Sequence, residues 1–251
     1  MGHIQEQTVD SSNIPKTSQE IKEAEAASSW ASMYAKDRYA RDRVMKSARL
    51  LLPFLKEGDT ILDVGCFTME AKKYLPSDIK YIGIDQKAYH KETRVVDLNH
   101  GFEPIPCSHA LCLETLEHLT NPSLALKSLS ESLSENGRLV VSLPNEATIF
   151  HRLRALCGVL DAECFSSSGK HLHLPSLKQS KMFLSQMYDI QSIHTYISPS
   201  ACGSKQAYLG VFLSLIPDYI HQFLADKFSS LFARGFIFLL KKPTPDNNPS
   251  S

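Results

Sequence analysis

From Thr60 onward the chain alternates short apolar runs with stretches of helical periodicity, and the runs predict strands near 60–64, 80–85, 93–96, 109–113 and 137–143. Two further runs, at 189–196 and 235–241, complete about seven strands. Short apolar strands separated by amphipathic helices are the rhythm of a mostly parallel sheet with helices on both faces. Asn121 before Pro122 predicts a helix start, and Asn136-Gly137 its stop, so one helix is expected over 122–134. Residues 212–232 read as a further helix with Tyr219, Ile220, Phe223 and Leu224 on its apolar side. Core packing accounts for that side, with a lipid-docking or dimer face as the alternatives.

Ahead of the first strand, Ile21, Ala24, Trp30, Met33, Tyr34, Val44, Met45, Ala48 and Leu52 recur at mixed three and four spacing, which predicts one or two amphipathic helices between 18 and 55. Trp30, Tyr34 and Tyr39 make that segment a candidate lid. The polar stretches 1–17 and 243–251 carry no apolar face and are expected to be disordered tails. Between them lies one expected domain, 18–242. It divides into N-terminal helices (18–57), a cofactor half (58–144), a substrate-side insertion (145–188), and closing strands with a helix (189–242).

Composition narrows the function classes. The 251 residues carry 27 basic and 27 acidic side chains, so no net charge draws the molecule to nucleic acid or to an anionic membrane. The six cysteines form no CxxC pair and sit mostly in apolar runs, as reduced thiols in a cytosolic core do. The first twenty residues lack the basic start and apolar core of a secretory signal, and no run is long enough to span a bilayer. A cytoplasmic protein without stable membrane insertion is expected.

The chemistry concentrates where strands end. TILDVGCFTME places Asp63 at the end of the first strand and Gly65 in the turn behind it, a weak signal taken alone. KYIGID repeats the design, and a carboxylate at Asp85 is placed to accept both hydroxyls of a ribose. Asp97, in VVDLN, adds a third acid at a third strand tip, where it could accept from an exocyclic amine. Three such acids on successive strands predict a nucleotide-like cofactor crevice.

The order ILDVGC, YIGID, VVDLN, LETLEHLTNP, ENGRLVVSLPN and HLHLPS resembles class I S-adenosylmethionine-dependent methyltransferases, over roughly 50–196. Within them it looks most like the MetW-like branch and its relatives among quinone-biosynthesis O-methyltransferases. The resemblance implies a Rossmann-like, doubly wound, seven-stranded sheet whose last strand is antiparallel. It also implies S-adenosylmethionine as cofactor and in-line methyl transfer to a small-molecule acceptor, with an apolar acceptor as one option. Residue by residue it assigns Asp63, Gly65, Cys66 and Phe67 to the first cofactor loop, Asp85 to the ribose, and Gln86 to the edge of the adenine. Asp97 and the Leu98 amide would contact the adenine, and the Leu113 carbonyl and Glu114 the methionine end.

The family pattern GxGxG is broken at Phe67 and Met69, which leaves two expectations for Phe67: it crowds the methionine moiety, or it packs under the following helix. The same departure motivates an alternative, a catalytically weak or inactive member acting as a binding or partner subunit. A nicotinamide-linked oxidoreductase is disfavoured, since GCFTME lacks the later glycines that a pyrophosphate needs. His118 is a candidate general base beside Glu117, although many methyl transfers require positioning alone. His151, His171, His173 and Tyr34 are candidate acceptor contacts, and no metal site is expected from the His171 and His173 pair.

Overall fold

The computed structural model describes residues 38–158, 171–173, 175–197 and 217–243. Trp30 and Tyr34, residues 1–17 and 244–251, and the first part of the 212–232 segment lie outside the described residues. The elements in chain order are α1 (Arg38–Leu51), β1 (Thr60–Val64), β2 (Lys80–Asp85), β3 (Arg94–Val95), β4 (His109–Leu113), α2 (Pro122–Ser132) and β5 (Arg138–Pro144). They continue with α3 (Ile149–Leu156), α4 (Leu177–Leu184), β6 (Asp189–Tyr196), α5 (Asp218–Lys227), α6 (Ser229–Phe232) and β7 (Gly235–Lys241).

The seven strands form one sheet in the order β3-β2-β1-β4-β5-β7-β6. All pairs are parallel except those of β7, which runs antiparallel to both β5 and β6. This is the Rossmann-like arrangement that the strand rhythm and the resemblance led us to expect. Connections run outward in one direction from β1 and in the other from β4, so a topological switch point falls between them, where such sheets bind ligands at the carboxyl ends.

Side chains alternate between two buried faces, as strand geometry dictates. Leu62, Val64, Ile84, Cys112, Val141 and Phe238 pack on one face against Leu126 and Leu129 of α2, Leu184 of α4 and Tyr188. Ile61, Leu111, Val140 and Ile237 pack on the other against Val44 and Leu51 of α1. Each fully buried leucine contributes roughly 1.5–3 kcal/mol relative to exposure, so both layers are needed to hold the strand ends in register.

Two helix expectations are corrected. The helix after Asn121 ends at Ser132, because Leu133 turns extended, sinks its side chain into the core and bridges to Cys107. Asn121 occupies the N-cap position without a side-chain cap bond. The segment before β7 breaks at Phe228 into α5 and α6, and of the expected apolar side Tyr219 and Phe223 are 74% and 58% exposed rather than packed in the core. Among the described residues, no helix is long and apolar enough to cross a membrane.

Candidate active site

β1, β2 and β4 deliver their carboxyl ends to one edge of the sheet, and backbone strain gathers there. Three non-glycine residues with positive φ are described, Phe67, Met69 and Glu114 at 44°, 58° and 50°, and they follow β1 and β4. Left-handed backbone at non-glycine residues costs of order 1–3 kcal/mol each and clusters at ligand sites. The loop after β1 thus keeps a path suited to glycine although two of its glycines are gone.

Gly65, with φ of 77°, is the position where glycine is indispensable, since a Cβ there would collide with the Thr115 side chain. The Thr115 hydroxyl donates to the Val64 carbonyl at 3.2 Å or the Leu113 carbonyl at 3.1 Å, fastening β1 to β4 beside the switch point. The amides of Gly65 and Cys66 donate to the Ile84 carbonyl at 2.9 and 3.1 Å, and that of Phe67 to Asp85 Oδ2 at 2.9 Å. These three amides are spent inside the protein, so none of them can cradle a phosphate. Such a loop suits a nucleoside ligand that carries no pyrophosphate.

Asp85 ends β2, buried but at the crevice, and burial holds its carboxyl above the usual range despite the amides of Phe67 and Lys87. Gln86 follows it at the exposed rim. Asp63 is wholly enclosed and accepts a hydrogen bond from the Tyr81 hydroxyl. Burial, reinforced by the charge of Asp85, pushes its carboxyl up to about 7. Burial also pushes the Cys66 thiol up to about 12, which rules it out as a nucleophile near neutral pH.

The two altered loop residues have separate fates. Met69 is buried, its terminal methyl lying where a Cβ on Gly83 would go. The Phe67 ring lies against Tyr89 with centroids 4.5 Å apart. Asp97 is exposed, accepting from the Asn99 amide at 3.0 Å and facing His100 Nδ1 at 3.1 Å, while Leu98 is buried. Both Asp97 oxygens therefore serve the turn Leu98–His100.

A family model described as a methyltransferase domain matches residues 34–187. The chain belongs to that methyltransferase domain family. No curated protein matches it. Among solved structures, a SAM-dependent methyltransferase from Thermotoga maritima has a TM-score of 0.57 at 14% identity, covering 88% of this chain and 97% of that one. A SAM-dependent methyltransferase from Archaeoglobus fulgidus has a TM-score of 0.54 at 16% identity, covering 85% and 99%. The N-methyltransferase NodS from Bradyrhizobium japonicum, solved in complex with S-adenosyl-L-homocysteine, has a TM-score of 0.53 at 13% identity, covering 84% and 91%. At these identities the likeness is one of fold.

In this methyltransferase domain the Glu114 carboxylate meets side chains of α1, β5 and β6. Its Oε1 accepts from the hydroxyls of Tyr196 at 2.9 Å and Ser142 at 3.2 Å, and its Oε2 faces Arg43 of α1 at 3.5 Å. The Leu113 carbonyl already faces the Thr115 hydroxyl. Glu117, one helical turn on, is fully buried, and neither carboxylate oxygen has a hydrogen-bond partner. Burial and the nearby Glu114 raise its carboxyl well above the ordinary range.

Histidines converge beside it. His118 and His171 meet edge to face with ring centroids 4.8 Å apart. His171 Nδ1 lies 2.7 Å from Glu146 Oε1, and His151 Nε2 lies 3.4 Å from the other oxygen. Burial raises the Glu146 carboxyl, but the His171 hydrogen bond and Arg234 outweigh it, and the net position is lowered. His173 departs from its neighbour: its Nε2 sits 2.9 Å from the Leu119 carbonyl. Thus His118, His151 and His171 are brought together, whereas His173 serves the loop. Sequence reasoning missed Arg43, Glu146, Tyr89 and Tyr196. Only the acid directly after LPN, Glu146, had a local signal that could have marked it.

Proposed function

We propose that this chain is an S-adenosylmethionine-dependent methyltransferase acting on a small-molecule acceptor, of the MetW-like or quinone-biosynthesis O-methyltransferase type. What carries the reading is the crevice between β1 and β2: Asp85 at the tip of β2, facing a left-handed loop whose first amides are committed internally. In a member of the methyltransferase domain family, that donor set suits the adenosyl group of the methyl donor. When bound, S-adenosylmethionine supplies a methyl on a positive sulfonium, open to in-line displacement.

The protein's share is positioning. Asp85 would accept the ribose hydroxyls while the Phe67 and Lys87 amides keep its carboxylate aimed. Phe67 and Tyr89 form an aromatic wall beside it, with Gln86 at the rim. The Thr115 hydroxyl fixes the spacing of β1 and β4. His118, 35% exposed at its side chain, and His171 stand where an acceptor would approach.

Isothermal calorimetry of the purified protein tests this. S-adenosylmethionine and its demethylated product are both expected to bind, and Asp85→Ala to weaken each at least about tenfold, the loss of a charge-assisted contact. Absence of binding by either nucleoside to the native protein overturns the reading.

A further inference from the structure

The methyl-donor crevice leaves Glu117 unused, and its setting is unusual. An enclosed carboxylate with no hydrogen-bond partner is strongly disfavoured unless a cation or a proton compensates it. Two imidazoles face it: His118 Nε2 is 3.9 Å and His171 Nε2 4.0 Å from the same oxygen, Oε1. These separations are too long for hydrogen bonds. They are close to what one shared ion needs, since bonds of about 2.0–2.2 Å at a tetrahedral centre set ligand atoms about 3.3 Å apart. One ligand atom from each of the three residues lies within 4.8 Å of the others, so the pairs would draw together by roughly 0.6–1.5 Å on an ion.

His171 is prepared as metal-bound histidines are. Its Nδ1 is placed to donate to Glu146 Oε1 at 2.7 Å, which leaves the Nε2 lone pair directed at Glu117 and His118. Glu146 is braced in turn by His151. The segment that carries His171 is pinned by Glu117 itself, whose carbonyl accepts from the Leu172 and His173 amides at 2.8 and 3.1 Å. One residue thus supplies a carboxylate and also holds an imidazole in place.

We propose that Glu117, His118 and His171 bind one divalent first-row transition-metal ion through a carboxylate oxygen and two imidazole Nε2 atoms. The proposal replaces the sequence-based expectation of no metal. Three protein ligands leave coordination positions open, and they open outward, because His118 and His171 are 35% and 24% exposed at their side chains while Glu117 is not. An open position takes an oxygen, and the ion would lower the pKa of a bound hydroxyl. That use, which points to a hydroxyl-bearing acceptor, rests on the methyltransferase reading; the binding of the ion does not.

Metal-free full-length protein, prepared by dialysis against a chelator, is titrated with Co(II) followed by visible absorption and with Zn(II) followed by calorimetry. One ion per chain is expected. Glu117→Gln and His171→Ala should abolish the cobalt spectrum with the far-ultraviolet circular dichroism unchanged. Glu146→Gln should weaken binding about 10–100-fold as an orienting partner, and His173→Ala should leave it intact. If Glu117→Gln fails to fold, His118→Ala and His171→Ala, altered on the open side, decide the question. Failure of Co(II), Zn(II) and Mn(II) to bind the native protein overturns the proposal, as does undiminished binding in the folded Glu117 and His171 variants. No methyl donor is present in the titration, so its failure leaves the nucleoside-binding result standing, and the reverse holds too.

Discussion

Thr115 occupies the space that a side chain on Gly65 would need, so the end of β4 dictates the residue that follows β1. Gly65→Ala would meet both a backbone angle that alanine avoids and a fastened threonine hydroxyl. A destabilisation of about 2–4 kcal/mol is expected from the angle and the overpacking together. Urea unfolding would check it, with calorimetry expected to show weaker nucleoside binding in the fraction that folds.

Asp63 makes stability depend on pH. Its carboxyl rises from 3.8 to about 7 on folding, so the folded chain holds a proton that the unfolded chain releases between those values. The stabilisation is present below about pH 4 and is lost as the pH rises through about 7. Tyr81 donates to Asp63, and Asp85 and Cys66 face it, so these groups share the effect. Asp63→Asn, which can still accept from Tyr81, is expected to be more stable than the native protein at pH 8 by up to about 4 kcal/mol. The difference should vanish near pH 4 in denaturant titrations run at both values.

Phe67 and Met69 share a strained backbone angle but should respond differently to glycine. Phe67→Gly relieves about 1 kcal/mol of strain and loses an aromatic contact worth about as much, so stability should hardly change. Met69→Gly empties a buried site beneath Gly83 and should cost roughly 2–4 kcal/mol. Thermal unfolding of the two variants side by side separates them.

Asn145 is fully buried and its amide lies 2.9 Å from the Ala233 carbonyl, 3.2 Å from that of Ser230 and 3.5 Å from that of Ser229. Asn145→Ala would take this donor from the Ala233 and Ser230 carbonyls, while that of Ser229 keeps the Ala233 amide, at an expected cost of about 2–4 kcal/mol. Asn145→Asp, which keeps the shape but removes the donor, should be no milder. Chemical denaturation of both variants is the check.

The strands could be read from the sequence because those buried on both faces are written as continuous apolar runs; β5 is displaced by one residue from its expected limits and β3 is two residues shorter. Helix ends were less legible. Leu133 looked like one more helical residue, yet its role is to leave the helix and fill the core, which only the position of Cys107 reveals. In the site, Asp85 and Gly65 lie where local motifs put them, since a strand tip and a turn are local geometry. The contacts of Glu114 with Arg43 and Tyr196 could not be read locally, since Tyr196 is 82 residues away. The pairing of His171 with Glu146 across 25 residues likewise has no local trace, because it depends on where the insertion returns to the sheet.

The clamp made by Asn145 has a consequence for how such a protein can change. It locks the exit of β5 to the approach of β7, so β5 and β7 hold their register without help from the chain that leaves at Glu146 and rejoins at β6. Ahead of α4, whose Leu184 sits in the core with Tyr188, that stretch can then be lengthened, shortened or exchanged by drift or by design at little cost to the sheet. Selectivity for an acceptor would be inherited separately from the scaffold that holds the donor.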